Sequence, residues 1–417
     1  MKDIKQYIID FQKRRFEIFE RELKVKFTKE FITSIIGARR VGKTYYLFSL
    51  INKIKDRKKV LYIDFDMPEF LDFDGKDLKK LVDLHLQTFG ELEYIFLDEI
   101  QNLKNWEKGL REIYEDKKYF IFITGSSSKL LSKELATQLR GRTIVYTLFP
   151  LSFREILTIK GFSTPQELIS TSEKNKILYE FNQYMKIGGY PQIFKEPDLK
   201  EQIVKDYKDL VIFRDLVERY KIKNIYVVKR FFEYLISSFA KEISIDKFYN
   251  YLKSQNVSLS KKTLYNYLEY FESSLFFHFL RTYKIKERLK KVYLNDIGFG
   301  DQEKGRKLEN VVFVDLLKKM MRFYYFKNNF ECDFVIPKKQ AIQVVWELNE
   351  ENKKRELNGL IEAMEYFRIK KGMILTYDQE GKIIKNKHKI EIVPVWKWLL
   401  RFSSNNSSST ISIISCG

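Results

Sequence analysis

The run Phe31-Ile32-Thr33-Ser34-Ile35-Ile36, leading into Gly37-Ala38-Arg39-Arg40-Val41-Gly42-Lys43-Thr44, decides the fold. Six residues rich in β-branched side chains, stopped by a glycine, predict a buried strand. The next eight set two glycines with four residues between them ahead of a lysine and a threonine. Glycines let the backbone curl until successive N–H groups face inward, and the helix predicted from Gly42 to about Lys55 adds its positive N-terminal end. Such a cradle takes phosphate. Lys43 is placed to reach β- and γ-phosphates, and the Thr44 hydroxyl to take a position on Mg²⁺. Gly37, Arg40, Gly42, Lys43 and Thr44 are therefore candidate nucleotide-binding residues.

Strands are also predicted at Val60–Phe65, Tyr94–Leu97, Tyr119–Thr124 and Arg142–Leu148. Helices are predicted between them at Asp77–Phe89, Trp106–Asp116 and Lys129–Leu139. Strands alternating with helices at this spacing mean an α/β fold with a parallel sheet covered on both faces. Tyr94-Ile95-Phe96-Leu97 ends in Asp98-Glu99. Acids at the C-terminal edge of such a sheet lie beside the phosphate loop. Asp98 is the candidate metal ligand with Thr44, and Glu99 the candidate base for an attacking water. The strand Phe120–Ile123 ends in Thr124-Gly125-Ser126, so Thr124 or Ser126 would position water or cap a helix. Arg140 and Arg142, around Gly141, are candidates for an arginine finger on a neighbouring subunit's nucleotide, or else for ion pairs at the sheet edge.

These segments occur in a fixed order with Phe149-Pro150-Leu151-Ser152-Phe153-Arg154-Glu155 and Gly188-Gly189-Tyr190-Pro191. The series resembles the archaeal and bacterial AAA+-type ATPases that join a nucleotide-binding core to a winged helix and a degenerate PD-(D/E)XK nuclease-like domain. The resemblance implies an ASCE-type P-loop core, ATP and Mg²⁺ as ligands, hydrolysis, and helices after the core acting as a lid.

The back half of the chain carries two further patterns. Asp246–Ser254, a turn at Gln255–Ser258 and a helix Ser260–Phe271 capped by Ser260 read as part of a winged helix, with wing strands at Ser274–Thr282 and Lys291–Leu294. Lys261, Lys262, Tyr265 and Asn266 fall where a recognition helix would meet the major groove, and Lys284, Lys286, Arg288 and Lys290 form a basic wing. From Lys253 to Val292 there are nine basic and three acidic residues, 9 − 3 = +6. In the last module Glu309 on a helix and Asp333 on the strand Glu331–Ile336 match two parts of a nuclease metal site. The third part reads Gln343-Val344-Val345 and lacks both carboxylate and lysine. Glu347, four residues late, is expected on the face of Gln343. Without the missing groups the activation of water becomes hard, so a fold relic is expected.

The expected organisation is a P-loop core over 1–150, a helical lid over 151–222, a winged helix over 223–300, a degenerate restriction-endonuclease-like domain over 301–402 and a disordered tail over 403–417. The net charge is 76 − 56 = +20, with 44% hydrophobic and 16% aromatic residues, so the chain can bury cores, and the excess suits either a lysine-rich solvated surface or a polyanion partner. The longest charge-free stretch before the tail, Thr143–Phe153, is short of the 18 or so apolar residues of a membrane span. Met1-Lys2-Asp3-Ile4-Lys5 lacks the apolar core of a signal peptide. With only Cys332 and Cys416, a disulfide framework is excluded and a cytoplasmic location expected. The functional expectation is Mg²⁺-dependent ATP hydrolysis acting on or near DNA, with a homo-oligomer if an arginine finger is used. The alternatives are a slow nucleotide-gated regulator that works through the winged helix and an ATP-linked nuclease.

Overall fold

A computed structural model of the chain describes residues 2–125, 141–162, 170–283, 290–385 and 387–401. Five parallel strands form the first sheet: β1 (Ile32–Ile36), β2 (Val60–Asp64), β3 (Tyr94–Asp98), β4 (Phe120–Gly125) and β5 (Thr143–Thr147), in the order β2-β3-β4-β1-β5. Their nearly unbroken apolar runs suit strands covered on both faces, and every residue of β1 is buried. The helices of this region are α1 (Lys2–Lys13), α2 (Lys43–Ile51), α3 (Asp77–Phe89) and α4 (Trp106–Glu115). The helix expected at 129–139 lies outside the described residues. Residues 14–31 have no regular structure and run along the core instead, with Phe16 stacked on Phe48 (centroids 3.7 Å) and Phe27 edge-on to Phe122 (4.9 Å). Register sets Asp64 level with Asp98, and the pairing of Leu97 with Ile123 brings Thr124 into the same row.

After β5 come α5 (Phe153–Ile159), α6 (Thr171–Ile187), the short α7 (Pro191–Lys195) and α8 (Lys200–Leu210), which continues as a π-helix, Val211–Glu218. Next are α9 (Ile225–Ser237), β6 (Lys241–Ile243), α10 (Ile245–Ser254), α11 (Lys261–Ser273), β7 (Phe277–Arg281) and β8 (Lys290–Leu294). These strands make an antiparallel sheet of order β6-β8-β7. Side-chain oxygens of Ser244 and Ser260 cap α10 and α11, as polar residues ahead of an apolar periodic run do. The final unit has α12 (Lys304–Lys318), β9 (Tyr324–Lys327), β10 (Glu331–Ile336), β11 (Gln340–Val344), α13 (Glu350–Tyr366), β12 (Lys371–Thr376), β13 (Gly381–Lys385), β14 (His388–Pro394) and α14 (Val395–Arg401). Its sheet runs β13-β14-β12-β11-β10-β9, parallel only at β11–β12 and β12–β14. A second core forms under α13, where Leu357, Leu360 and Met364 meet Val335, Ile374 and Ile390. Because β11 ends at Val344, Glu347 lies beyond the strand and is exposed, so it does not share the face of Gln343 as expected. No helix among the described residues is long and apolar enough to cross a membrane.

The turn Gly188-Gly189-Tyr190-Pro191 is a three-way joint. The Gly189 N–H donates to Asp296 Oδ2 (2.7 Å), and its carbonyl accepts from the Leu151 N–H (2.7 Å). Tyr190 is buried, edge-on to Phe299 at 5.0 Å. A Cβ on Gly189 would fall on the Leu151 carbonyl, while Gly188 has a φ of 77° and faces Asp296. The backbone on both sides fixes this approach, so Gly189→Ala is expected to cost about 1–3 kcal/mol, read as a lower midpoint in a denaturant melt. At the far end of the chain, the Arg154 guanidinium donates to the Leu399 carbonyl of α14 (2.5 Å) and pairs with Glu22 (3.3 Å).

Candidate active site

The loop between β1 and α2 has the geometry its residues impose. Gly42 sits at φ 95° and Arg40 at φ 67°, both left-handed. A Cβ on Gly37 would strike the Leu148 carbonyl and Val41 Cγ2. Lys43 is buried, and its ammonium donates to the carbonyls of Gly37 (3.3 Å) and Ala38 (3.4 Å) and pairs with Glu99 (3.3 Å). Arg21, in the irregular N-terminal segment, clamps the loop from outside. It donates to the carbonyls of Val41 (3.2 Å) and Phe149 (2.6 Å) and pairs with Glu155 (2.9 Å). Glu155 also accepts from the N–H groups of Glu22 and Ser152 (2.7 Å each), so the segment Phe149–Glu155 ties this clamp to α5.

The two acids occupy different environments. Asp98 is fully buried. It accepts hydrogen bonds from Thr124, Thr44 and Tyr62, the last at 3.0 Å. Burial, and then the charge of Glu99, raise its carboxyl above the usual range, and those hydrogen bonds partly offset the rise. Burial also pushes Glu99 up, but Lys43, Gln101 and Arg39 outweigh it and hold that carboxyl below the usual range. Glu99 has φ 47°, the kind of sparsely populated backbone that concentrates at functional sites. Its N–H donates to Thr124 Oγ1 (2.9 Å). Thr124, at the strand end read from the sequence as positioning water or capping a helix, therefore joins the two acids. Asp64, in the same row, has a carboxyl raised to about 6, first by burial and also by Asp98.

Thr44 and Asp98 stand side by side, and no group of three or more His, Cys, Asp or Glu among the described residues could hold a metal ion. One carboxylate and one hydroxyl suit Mg²⁺, which takes most of its ligands from phosphates and water. Arg142 pairs with Glu115 (3.8 Å) over the ring of Tyr114 (5.6 Å), so its observed partners belong to the sheet edge. Ser126 and Arg140 lie outside the described residues. Arg40 is exposed, while Arg39 reaches Asp215 on the π-helix (3.1 Å). Sequence reasoning missed Arg21, Tyr62, Asp64 and Asp215. Only Asp64 left a signal, an acid ending the apolar run Val60–Ile63.

The expected nucleic-acid face is partly engaged elsewhere. Lys262 and Asn266 on α11 are exposed and Tyr265 is half-buried, but Lys261 pairs with Asp246 (2.6 Å) and lies over Tyr249 (5.2 Å). Lys290 lies over Phe279 (5.7 Å), and Lys284, Lys286 and Arg288 fall outside the described residues. Lys291, counted in the local excess of +6, is buried. Its ammonium meets Glu309 (3.0 Å), Glu331 (2.7 Å) and Asp333 (3.1 Å). Tyr293 donates to Glu309 (2.6 Å) and the Val344 N–H to Asp333 (2.9 Å). Gln343 donates to the buried Glu356 (2.6 Å). A lysine from the three-stranded sheet thus stands among the carboxylates read as a nuclease remnant.

The family model for an AAA domain matches residues 29–157, and one for a domain of unknown function matches 178–306. The uncharacterized protein MJ1544 of Methanocaldococcus jannaschii is 38% identical over 414 residues, covering 93% of this chain and 92% of that one. An uncharacterized protein of Haemophilus influenzae is 28% identical over 396 residues, 89% of this chain and 95% of its own length. Among solved structures, Aeropyrum pernix Orc1 in complex with DNA is similar over 70% of this chain and 88% of its own, at 11% identity and a TM-score of 0.32, a loose likeness.

Proposed function

This chain belongs to the family of the Methanocaldococcus jannaschii protein MJ1544 and carries an AAA+ P-loop ATPase core, and we propose that it binds and hydrolyses Mg²⁺-ATP and acts on or near DNA. The placement of Glu99, 3.3 Å from Lys43 and tied through Thr124 to Asp98, carries the hydrolytic reading. Lys43 exchanges its carbonyl partners and Glu99 for the β- and γ-phosphates. Glu99, held as a carboxylate, then orients water and takes its proton. Thr44 and Asp98 would hold Mg²⁺, which when bound supplies charge neutralisation on the phosphate oxygens. Tyr62 and Thr124 keep Asp98 aimed at that position. Lys43 and the loop N–H groups bind, Glu99 activates, and Arg21 keeps the loop in shape from behind.

The reading of α9–α11 and β6–β8 as a winged helix rests on their order and on exposed Lys262 and Asn266, with Lys284, Lys286 and Arg288 in the sequence between β7 and β8. A second reading has specific support. Lys261 is paired, Lys291 is buried, and Glu269 is exposed one turn beyond Asn266, all of which suit a protein partner regulated by nucleotide. We propose that the carboxylates around Lys291 are structural rather than nucleolytic. The deciding measurement is the rate of ATP hydrolysis with and without duplex and single-stranded DNA over a salt series. Stimulation by DNA that fades steeply as salt rises is expected. Mg²⁺-dependent turnover indifferent to DNA would select the protein-partner reading, and no turnover at all would remove the hydrolytic one.

A further inference from the structure

Asp215 is fully buried in the π-helix between α8 and α9, and one of its oxygens serves two arginines. Arg39 of the phosphate loop reaches Oδ1 at 3.1 Å, and Arg219, one turn along, reaches the same atom at 3.2 Å. Asp215 Oδ2, Arg39 Nε and Arg219 Nη1 are buried without a hydrogen-bond partner. Two guanidiniums on a single oxygen leave donor capacity unspent, and a planar guanidinium is suited to grip phosphate in a bidentate manner. Arg39 is already within electrostatic reach of Glu99, on the side of the loop where the acids stand. Like π-turns at other functional sites, this one interrupts a longer helix where a specific side chain must be aimed. The helix then ends at Tyr220, whose ring stacks on Tyr270 of α11 (3.7 Å, 6°) and whose hydroxyl meets Ser273 (2.6 Å).

We infer that Asp215 is the resting counter-ion of Arg39, that the γ-phosphate of ATP takes Arg39 away from it, and that the exchange is transmitted along this helix to α11. The inference rests on the ATPase reading above. Asp215 is a positioning residue here, acting through Arg39. Mg²⁺-ATP has to compete with the Asp215 carboxylate for Arg39, whereas ADP, without a γ-phosphate, does not recruit it. Coupling between sites is reciprocal, so whatever binds α11 shifts the preference for ATP over ADP by the same factor.

The test measures binding of a fluorescent non-hydrolysable ATP analogue and of fluorescent ADP, with Mg²⁺, to the full chain. Wild type, Asp215→Asn, Arg39→Gln and the double variant are compared. Amide exchange over residues 261–273 is followed in each nucleotide state. Asp215→Asn is expected to raise the ratio of ATP-analogue to ADP affinity by roughly fivefold or more, and Arg39→Gln to lower it. The double variant should match Arg39→Gln alone, because Asp215 acts only through that arginine. The ATP analogue should alter exchange in α11 of the wild type and not of Arg39→Gln. A purely structural clamp would change the melting temperature and leave the ratio where it was. Wild type that binds both nucleotides, with the ratio unmoved by Asp215→Asn, overturns the inference alone. If Asp215→Asn does not fold, an unmoved ratio in Arg39→Gln, whose side chain is partly exposed, overturns it equally. Wild type that binds neither nucleotide overturns the ATPase reading as well.

Discussion

Glu99→Gln protein is expected to hydrolyse ATP about 10²–10⁴-fold more slowly than the parent while binding it more tightly. Glutamine keeps the shape of the side chain and removes its basicity, so loss of turnover isolates the proton-accepting role. The tighter binding follows from the resting state, in which Lys43 is paired with Glu99 at 3.3 Å and must leave it for phosphate. In the free protein Lys43, Gln101 and Arg39 hold Glu99 below the ordinary carboxylate range against the pull of burial, so kcat/KM, which reports that state, should hold up well into mildly acidic solution. Single-turnover hydrolysis alongside equilibrium nucleotide binding separates the two effects. A variant turning over at the parental rate removes Glu99 from the base's role and leaves Asp64, level with Asp98 in the same row, as the acid to replace next.

Lys291→Met should be among the most destabilising single changes in the chain, by about 3–5 kcal/mol at neutral pH. Its ammonium is the shared partner of Glu309, Glu331 and Asp333, and methionine fills the space while leaving three carboxylates facing one another. The sign of the pH dependence follows. Burial and the charge of Glu309 already raise Asp333 in the parent, and removal of Lys291 raises the group further. The loss is smallest well below the ordinary carboxylate range, where Glu331, which Lys291 holds low in the folded parent, is protonated along with the other carboxyls in folded and unfolded chains alike. It grows as pH rises through the elevated folded values. Thermal melts across pH test this directly. Adding Glu309→Gln and Asp333→Asn should recover most of the stability, since neutralising a whole buried network is far cheaper than breaking it. Equal melting of Lys291→Met and parent at neutral pH would exclude a load-carrying ion cluster at this position.

What could be read in the sequence was what is local in it. An apolar strand followed by a glycine loop, and another followed by Asp98-Glu99, each announce themselves within a short unbroken stretch of sequence, and the sheet places them together. Thr124 was found for the same reason, and its hydroxyl lies between the two acids. Asp215 could not be found that way. It lies 176 residues from Arg39, in a helix whose pattern is ordinary. Arg21 sits in a segment without periodicity and is recognisable only once the Val41 and Phe149 carbonyls are in place. Lys291 counts toward the local excess of +6 because a tally of charge along the chain takes no account of burial. Its burial depends on acids that the chain supplies 18 to 42 residues later. The edge hairpin β13–β14 escaped because Gly381-Lys382-Ile383-Ile384-Lys385 pairs charge with only two apolar residues, and tertiary pairing overrides so weak a propensity.

The bond from Arg154 to the Leu399 carbonyl spans 245 residues, which gives this protein a timetable. Ribosomes add about 5–20 residues per second, so 245 residues take roughly 12–49 s. Throughout that interval the nucleotide loop and its sheet are complete while the helix that follows them still lacks its partner. Asp296, which receives the Gly189 N–H, arrives 107 residues after it. The growing chain therefore holds the Arg154 guanidinium on Glu22 alone and leaves open the face of Phe181 that Tyr377 later covers, until α14 arrives to close over the helix that follows the nucleotide loop's sheet.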